Sequence, residues 1–406
     1  MIHVCFSLYD GEGHYSKFIG KTILSIFENT NSEVMIHILH DNTLTDNNRN
    51  KFSYIVKQYH QFVEFYNVEK LCEEEISFIK RILPNSYVAH FTVGMFYRFF
   101  IARVLSIKIK KVIYLDADII VNLDINELWQ VELREKPLGA IPNHFQITDE
   151  KISIERTMRV AQICKEGFVN PIDYFNSGVL LINLSFMRNA DTTLRNGIRF
   201  IGDHPQFVFL DQDILNYCFS NVFLKLPVNF NRYVFLARNE NEMIIKKMIY
   251  HYAGGRFGIG FDMNDPFNRL WWSYFIKTPW FDVDTMNRII RGATDTMLKC
   301  SDVPHDRVRV FITDEEHAYQ IEKNFSVQEE EQVIVIDNYN NNNLQPLIDL
   351  MENLKGDKVF FVGIPNIDSE LRKMKFVEGT DFFNVSSFCS PLWVNLASTY
   401  NLILSM

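Results

Sequence analysis

The run Lys111–Val121, KVIYLDADIIV, decides how this chain folds. Lys111–Leu115 reads as a strand buried on both faces, and it ends abruptly in Asp-Ala-Asp. Asp116 and Asp118 stand two apart just beyond it, so their carboxylates can converge on one ion. Carboxylate oxygens suit a hard divalent cation such as Mn²⁺ or Mg²⁺. Burying two neighbouring carboxylates with no counter-ion would be costly. A bare Asp-x-Asp also occurs in solvated turns; the buried strand in front of it favours the metal.

Working outward, strand-like and helix-like runs alternate. Ile2–Leu8, Val34–Leu39 and Phe62–Tyr66 read as strands, and Lys17–Glu28 and Asn47–Tyr59 as helices between them. Val93–Leu105 reads as helical ahead of the Asp-Ala-Asp strand. This rhythm predicts an α/β fold with a mostly parallel, Rossmann-like mixed sheet covered by helices. Ligands in such sheets bind beyond the C-terminal strand ends, where Asp116 and Asp118 fall. Further on, Val179–Leu184 reads as a strand, Asp211–Phe219 as a helix, and Tyr250–Phe261 as a loop with four glycines.

A boundary is expected near Phe281–Arg291, after an aromatic cluster that includes Trp271, Trp272 and Trp280. Beyond it the alternation restarts. Val308–Ile312, Val333–Ile336 and Val359–Val362 read as strands; Glu315–Asn324, Leu347–Leu354 and Asp368–Lys373 read as helices, and Asn340–Asn343 as a loop. The expected organisation is a larger domain over 1–284 and a small α/β accessory domain over 292–406, a plausible size for an independent unit.

The net charge of −9 argues against a nucleic-acid binder, which needs a basic face to displace phosphate counterions. Six cysteines have no close pair, which excludes a CxxC redox motif or zinc-finger spacing and fits free thiols in a reducing compartment. The start, MIHVCFSLYDGEG, lacks a basic segment followed by a long apolar one. No apolar run approaches the ~20 residues of a membrane-spanning helix. These features predict a cytoplasmic protein with no transmembrane segment.

Other residues join the carboxylates. His251 opens HYAGGRFGIGF, and two carboxylates plus one imidazole make a sensible Mn²⁺ set. The glycines after it could present N–H groups to phosphate oxygens. Asn176 enters the strand of FNSGVLLINL, where it either caps a turn or bonds sugar hydroxyls. Asp211, Gln212 and Asp213 open a helix; capping explains an aspartate there but explains Gln212 less well. Ser7, Asp10 and Tyr15 surround the end of the first strand, where a carboxylate could accept a uracil N3–H and a ring could stack on the base. Arg98 either binds a nucleotide or pairs with an acid.

Together these segments resemble family 8 of the glycosyltransferases, retaining enzymes of GT-A fold. The resemblance rests on TILSIFENT (Thr22–Thr30), FYRFFIARVL (Phe96–Leu105), KVIYLDADIIVNLDINELW (Lys111–Trp129), FNSGVLLINL (Phe175–Leu184), LDQDILN (Leu210–Asn216) and HYAG (His251–Gly254). It covers roughly the first 280 residues. What it implies is a hexosyltransferase moving galactose or glucose from UDP-galactose or UDP-glucose to a glycan or glycoprotein acceptor, in bacterial surface-glycan synthesis. Asp116, Asp118 and His251 correspond to the Mn²⁺ ligands. Ser7, Asp10, Tyr15, Arg98 and Ala117 fall at nucleotide-contacting positions, with Gly254 beside the diphosphate. Asn176 and Asp211 match residues that hold the donor sugar, and Gln212 the residue facing the anomeric carbon.

Three departures accompany it. Gly11–His14 are extra, which leaves the register at Asp10 open by one or two positions. Phe257 stands where the family has a phosphate-binding lysine, with Arg256 a candidate replacement. The segment after about Ile290 has no counterpart in the minimal enzyme. Gln212 is a feeble nucleophile, so front-face attack by the acceptor is expected over double displacement. Two alternatives stand beside this reading: a sugar-phosphate nucleotidyltransferase, for which the acidic Gly11–His14 turn is a poor phosphate cradle, and a non-catalytic sugar-binding module derived from the fold.

Overall fold

The computed structural model describes residues 1–11, 13, 15–84, 93–240, 244–253 and 265–281; beyond these it describes 308–313, 332–335, 349–351, 353, 358–363, 371, 376–377 and 382–384. Two compact units emerge, one of residues 1–259 with 270–281, the other of 260–269 with 282–406.

The first unit is built on a seven-stranded sheet among the described residues. Its strands are β1 (Ile2–Leu8), β2 (Val34–His40), β3 (Phe62–Asn67), β4 (Lys111–Leu115), β6 (Leu138–Ala140), β7 (Val179–Asn183) and β8 (Leu224–Lys225), in the order β3-β2-β1-β4-β7-β6-β8. The β3-β2-β1-β4 half is parallel, as the alternation predicts, whereas β7 runs antiparallel to both β4 and β6. The sheet is therefore mixed, mostly parallel. A second, three-stranded sheet joins β5 (Ile119–Val121), β9 (Arg232–Tyr233) and β10 (Ile249–His251) in the order β5-β10-β9.

Burial follows the sequence pattern. Val112 to Leu115 are fully buried, and the helix Ser16–Asn29 buries Phe18, Ile19, Ile23, Leu24, Ile26 and Phe27. Its first turn is capped from outside. Asp10 accepts from the N–H groups of Tyr15 (2.7 Å) and Ser16 (3.2 Å), which satisfies donors that a helix start leaves orphaned. Gly20 on this helix lets Trp280 approach, since a β-carbon there would lie 2.1 Å from the indole.

Some local expectations differ. Val93–Phe100 is a 3₁₀ helix, followed by a single α turn Ile101–Val104, rather than one continuous helix. Tyr250 and His251 lie in β10 rather than in a loop, because β10 pairs with both β5 and β9. No helix among the described residues is long and apolar enough to cross a membrane.

The second unit contains a parallel sheet of β11 (Val308–Thr313), β12 (Gln332–Val335), β13 (Lys358–Val362) and β14 (Phe382–Asn384), in the order β12-β11-β13-β14. Val310, Ile312, Met351, Phe360, Val362, Leu371 and Phe382 form its core. The helix Glu315–Asn324 and the loop Asn340–Asn343 lie outside the described residues, as do half of Leu347–Leu354 and most of Asp368–Lys373.

Candidate functional site

Strand ends bring the site together. β4 delivers Asp116, whose N–H donates to Gly178 O at 2.8 Å, so Asp116 sits against the entry to β7. β5 follows Asp118 directly. The antiparallel register of β10 sets His251 opposite Ile119, and Tyr252 N–H donates to Asp118 O at 2.9 Å. That register carries the imidazole to the aspartates. One ligand atom from each of Asp116, Asp118 and His251 lies within 4.8 Å of the others.

The three side chains fit a divalent cation. Asp116 Oδ1 accepts from Arg98 Nη2 (2.8 Å) and from the Tyr114 hydroxyl (2.9 Å), leaving Oδ2 for an ion. His251 Nε2 lies 3.2 Å from Asp118 Oδ1, while Nδ1 is 3.0 Å from Asn231 Oδ1. An amide oxygen can only accept, so Nδ1 carries the proton and Nε2 faces the carboxylates. Burial works against the Asp118 carboxylate, but His251 holds its pKa below the usual range. Burial likewise opposes a charged His251, and Asp118 outweighs it to raise that pKa. The buried carboxylate thus draws positive charge toward itself, which a bound cation would supply outright.

Arg98 organises the acid side. Buried to 9% exposure, its guanidinium reaches Asp116 at 2.8 Å and Asp211 Oδ2 at 3.1 Å, donates to Ser177 O at 2.9 Å, and stacks on Tyr114. It is thus a salt-bridge partner of two carboxylates, the second of the two roles expected for it. Asp211 also accepts from Ser177 Oγ at 3.4 Å; burial raises its pKa against the pull of Arg98.

The remaining expected residues divide. Asn176 and Gln212 are brought together, Asn176 Nδ2 donating to Gln212 Oε1 at 2.8 Å. Tyr15 is 36% exposed; desolvation of its phenol first, then the charges of Asp118 and Asp116, raise its pKa. Asp10 is spent elsewhere. Besides the two N–H groups it caps, it accepts from Ser16 Oγ and Asn48 Nδ2 (2.7 Å), which fills its oxygens and leaves none for a base. The Ser7 hydroxyl is buried and, among the described residues, makes no hydrogen bond of ordinary geometry. Ala117 is buried, its carbonyl accepting from Thr22 Oγ1 at 3.0 Å. Gly254 and Arg256 lie outside the described residues.

Four residues escaped the sequence reading: Tyr114, Asn231, Tyr174 and Lys21. Lys21 is fully buried, its Nζ without a hydrogen bond among the described residues and packed over the rings of Trp271 (5.3 Å) and Tyr252 (5.7 Å). Burial, partly offset by Asp118, brings its pKa down to about 7. A lysine on the inward stripe of an apolar helix was the available signal. Asn231 and Tyr174 carried none, because nothing local distinguishes a structural amide or phenol from one beside a site.

The family described as Glycosyl transferase family 8 matches residues 7–256. General stress protein A of Bacillus subtilis is 23% identical over 66% of this chain and 92% of its own length. The lipopolysaccharide 1,3-galactosyltransferase of Salmonella typhimurium is 26% identical over 58% of this chain and 67% of its own. A solved active-site mutant of LgtC superposes with a TM-score of 0.51 at 18% identity, covering 68% of this chain and 96% of that one, a likeness of fold.

Proposed function

The chain belongs to glycosyltransferase family 8, with the GT-A fold, and from that premise we propose that it transfers galactose or glucose from UDP-galactose or UDP-glucose, with retention, to a glycan or glycoprotein acceptor. The observation that carries this reading is the Asp116–Asp118–His251 cluster. A divalent cation there, Mn²⁺ before Mg²⁺ given the imidazole, would neutralise charge growing on the leaving diphosphate. The glycan acceptor is supported by relatives named as lipopolysaccharide galactosyl- and glucosyltransferases. A cytoplasmic setting fits the free thiols of Cys5, Cys72, Cys164 and Cys218.

Within this reading the residues have distinct tasks. Arg98 holds Asp116 and Asp211 in place and offsets their charge before any donor arrives. Gln212 Oε1 already accepts from Asn176 Nδ2 and from Ser177 N–H at 3.1 Å, so it has no lone pair with which to attack an anomeric carbon. Asp211 is tied to Arg98 and Ser177. Front-face entry of the acceptor hydroxyl, its proton passing to the departing phosphate oxygen, needs neither as a nucleophile. We assign catalysis to residues 1–284 and an accessory role to 292–406.

The test is UDP release from a panel of UDP-sugars with Mn²⁺ and with chelator, followed by the anomeric configuration of the product. Metal-dependent release from UDP-galactose or UDP-glucose is expected. Absence of release from every UDP-sugar would overturn the proposal, and a glycosyl adduct trapped on Asp211 would overturn the front-face step.

A further inference from the structure

The hydrogen bonds that leave His251 do not stop at Asn231. Asn231 Nδ2 donates to Asn176 Oδ1 at 2.8 Å. Asn176 Nδ2 donates to Gln212 Oε1 at 2.8 Å, and Gln212 Nε2 to the Tyr174 oxygen at 2.8 Å. The Tyr174 hydroxyl donates to Asp213 Oδ1 at 2.7 Å. Five bonds run in one direction, from an imidazole N–H to a carboxylate, and Asn231, Tyr174 and Asp213 are buried to within 1% of complete.

An amide can usually be turned end for end without visible change. Here each flip meets opposition. Ser177 N–H donates to Gln212 Oε1 at 3.1 Å, and Gly178 N–H donates to Asn176 Oδ1 at 2.9 Å. A backbone N–H has only a proton to offer, so each biases its amide in the direction that the Tyr174–Asp213 end of the relay also favours. At the far end Asp213 Oδ2 accepts from Phe209 N–H at 3.1 Å, so the carboxylate accepts on both sides. Burial raises Asp213 to about 6, which leaves it ionised at alkaline pH. With every link oriented this way, Asn231 presents an oxygen to His251.

We infer that Asp213 and Tyr174 are positioning residues, which through Gln212, Asn176 and Asn231 hold the His251 proton on Nδ1 and so keep the Nε2 lone pair for the cation. This rests on the metal reading above. An orienting partner on the remote nitrogen of a metal-binding histidine fixes the tautomer and raises ligand basicity. Aligned hydrogen bonds also polarise one another. Neither Asp213 nor Tyr174 belongs to the candidate ligand set.

The Asp213→Asn variant disturbs the direction with little change of shape. An asparagine that turns its oxygen to Tyr174 sets its NH₂ against Phe209 N–H. Turned the other way it donates to Tyr174, whose hydroxyl proton then meets Gln212 Nε2; flipping Gln212 puts that NH₂ against Ser177 N–H. Gln212→Glu in the same chain relieves every conflict, because the new carboxylate accepts from Asn176, Ser177 and Tyr174 while the asparagine serves Tyr174 and Phe209.

The experiment reads Mn²⁺ affinity by the loss of the free-ion EPR signal, together with ¹⁵N shifts of the His251 ring in metal-free protein at alkaline pH. Wild type is expected to bind Mn²⁺ and to show a protonated Nδ1. Asp213→Asn and Tyr174→Phe should each weaken Mn²⁺ binding about tenfold and move ring proton density to Nε2. Gln212→Glu added to Asp213→Asn should recover both properties. If both single variants bind Mn²⁺ like wild type with an unchanged ring, or if wild type carries its proton on Nε2, the relay is wrong. A wild-type protein that binds no Mn²⁺ would instead remove the metal reading. Should Asp213→Asn fail to fold, Tyr174→Phe with the ring spectrum decides alone.

Discussion

Gly178 approaches His251 so closely that a β-carbon added to it would lie 2.4 Å from Cε1 of the imidazole and 2.8 Å from Asp116 Oδ2. Real carbon atoms do not come that near, so the absence of a side chain at 178 is what lets two metal-ligand candidates converge. Gly178→Ala is expected to displace the imidazole or the carboxylate and weaken Mn²⁺ binding about 10- to 100-fold, the range seen when ligand-orienting groups are lost. Metal titration beside a thermal melt checks it. Unchanged affinity would show that the two side chains have room to spare.

Removing a ligand should be more severe. Asp118→Asn and His251→Ala are each expected to lower kcat for UDP release at least about 100-fold, the scale of losing one preorganised electrostatic group at a reacting centre. Chelator should silence wild type to the same floor, and added Mn²⁺ should restore wild type alone. Equal activity with and without chelator would contradict this.

Arg98 neutralises two carboxylates at once, so its loss strands both. Arg98→Met is expected to destabilise the fold by about 3–5 kcal/mol, the cost of leaving buried charge uncompensated. Arg98→Lys should recover only part, because an ammonium lacks the planar fork that reaches Asp116 and Asp211 together. Denaturant midpoints of the three proteins give the order. A lysine variant as stable as wild type would refute the bidentate argument.

Lys21 should leave a pH signature on stability. Its pKa is about 7 when folded against about 10.4 in an unfolded chain. Between those values the unfolded chain binds the extra proton, so this lysine's contribution becomes more favourable as pH rises from about 7 to 10.4, and its penalty is complete below about 7. Lys21→Met should therefore be stabilised relative to wild type most at pH 6 to 7 (about the folded pKa and just below) and progressively less toward pH 10. Unfolding free energies of both proteins across that range provide the comparison; a flat difference would mean the amine is not held neutral by burial.

The two compact units invite a division of labour. A chain ending at residue 284 is expected to retain Mn²⁺-dependent hydrolysis of the UDP-sugar while losing transfer to its acceptor. Loss of hydrolysis in a folded truncation would place residues 285–406 in catalysis itself.

Much of this protein was readable from its residues. The apolar run before Asp116 predicted β4 residue for residue, and the strands β1, β2 and β3 came within one residue of their ends, because burial on both faces gives β1, β2 and β4 a continuous local signature while the edge strand β3 keeps an aromatic and β-branched run. The 3₁₀ form of Val93–Phe100 was not readable, since α and 3₁₀ turns share one hydrophobic spacing over so short a stretch. Asp10 illustrates the opposite difficulty. Its position at a strand end suggested ligand contact, yet only the packing of Ser16 and Asn48 around it shows its oxygens already occupied.

The sequence by itself determined the strand that ends in two aspartates, the α/β alternation around it and the histidine able to join them, since each is written in neighbouring residues. The tertiary structure alone decided that β10 pairs with β5 in the register that seats His251 beside Asp118, that Arg98 ties Asp116 to Asp211, and which way each amide between His251 and Asp213 faces. Those are relations between segments far apart in the chain. Their direction is set by which donor or acceptor happens to lie across a hydrogen bond, and a linear string of residues does not record its neighbours in space.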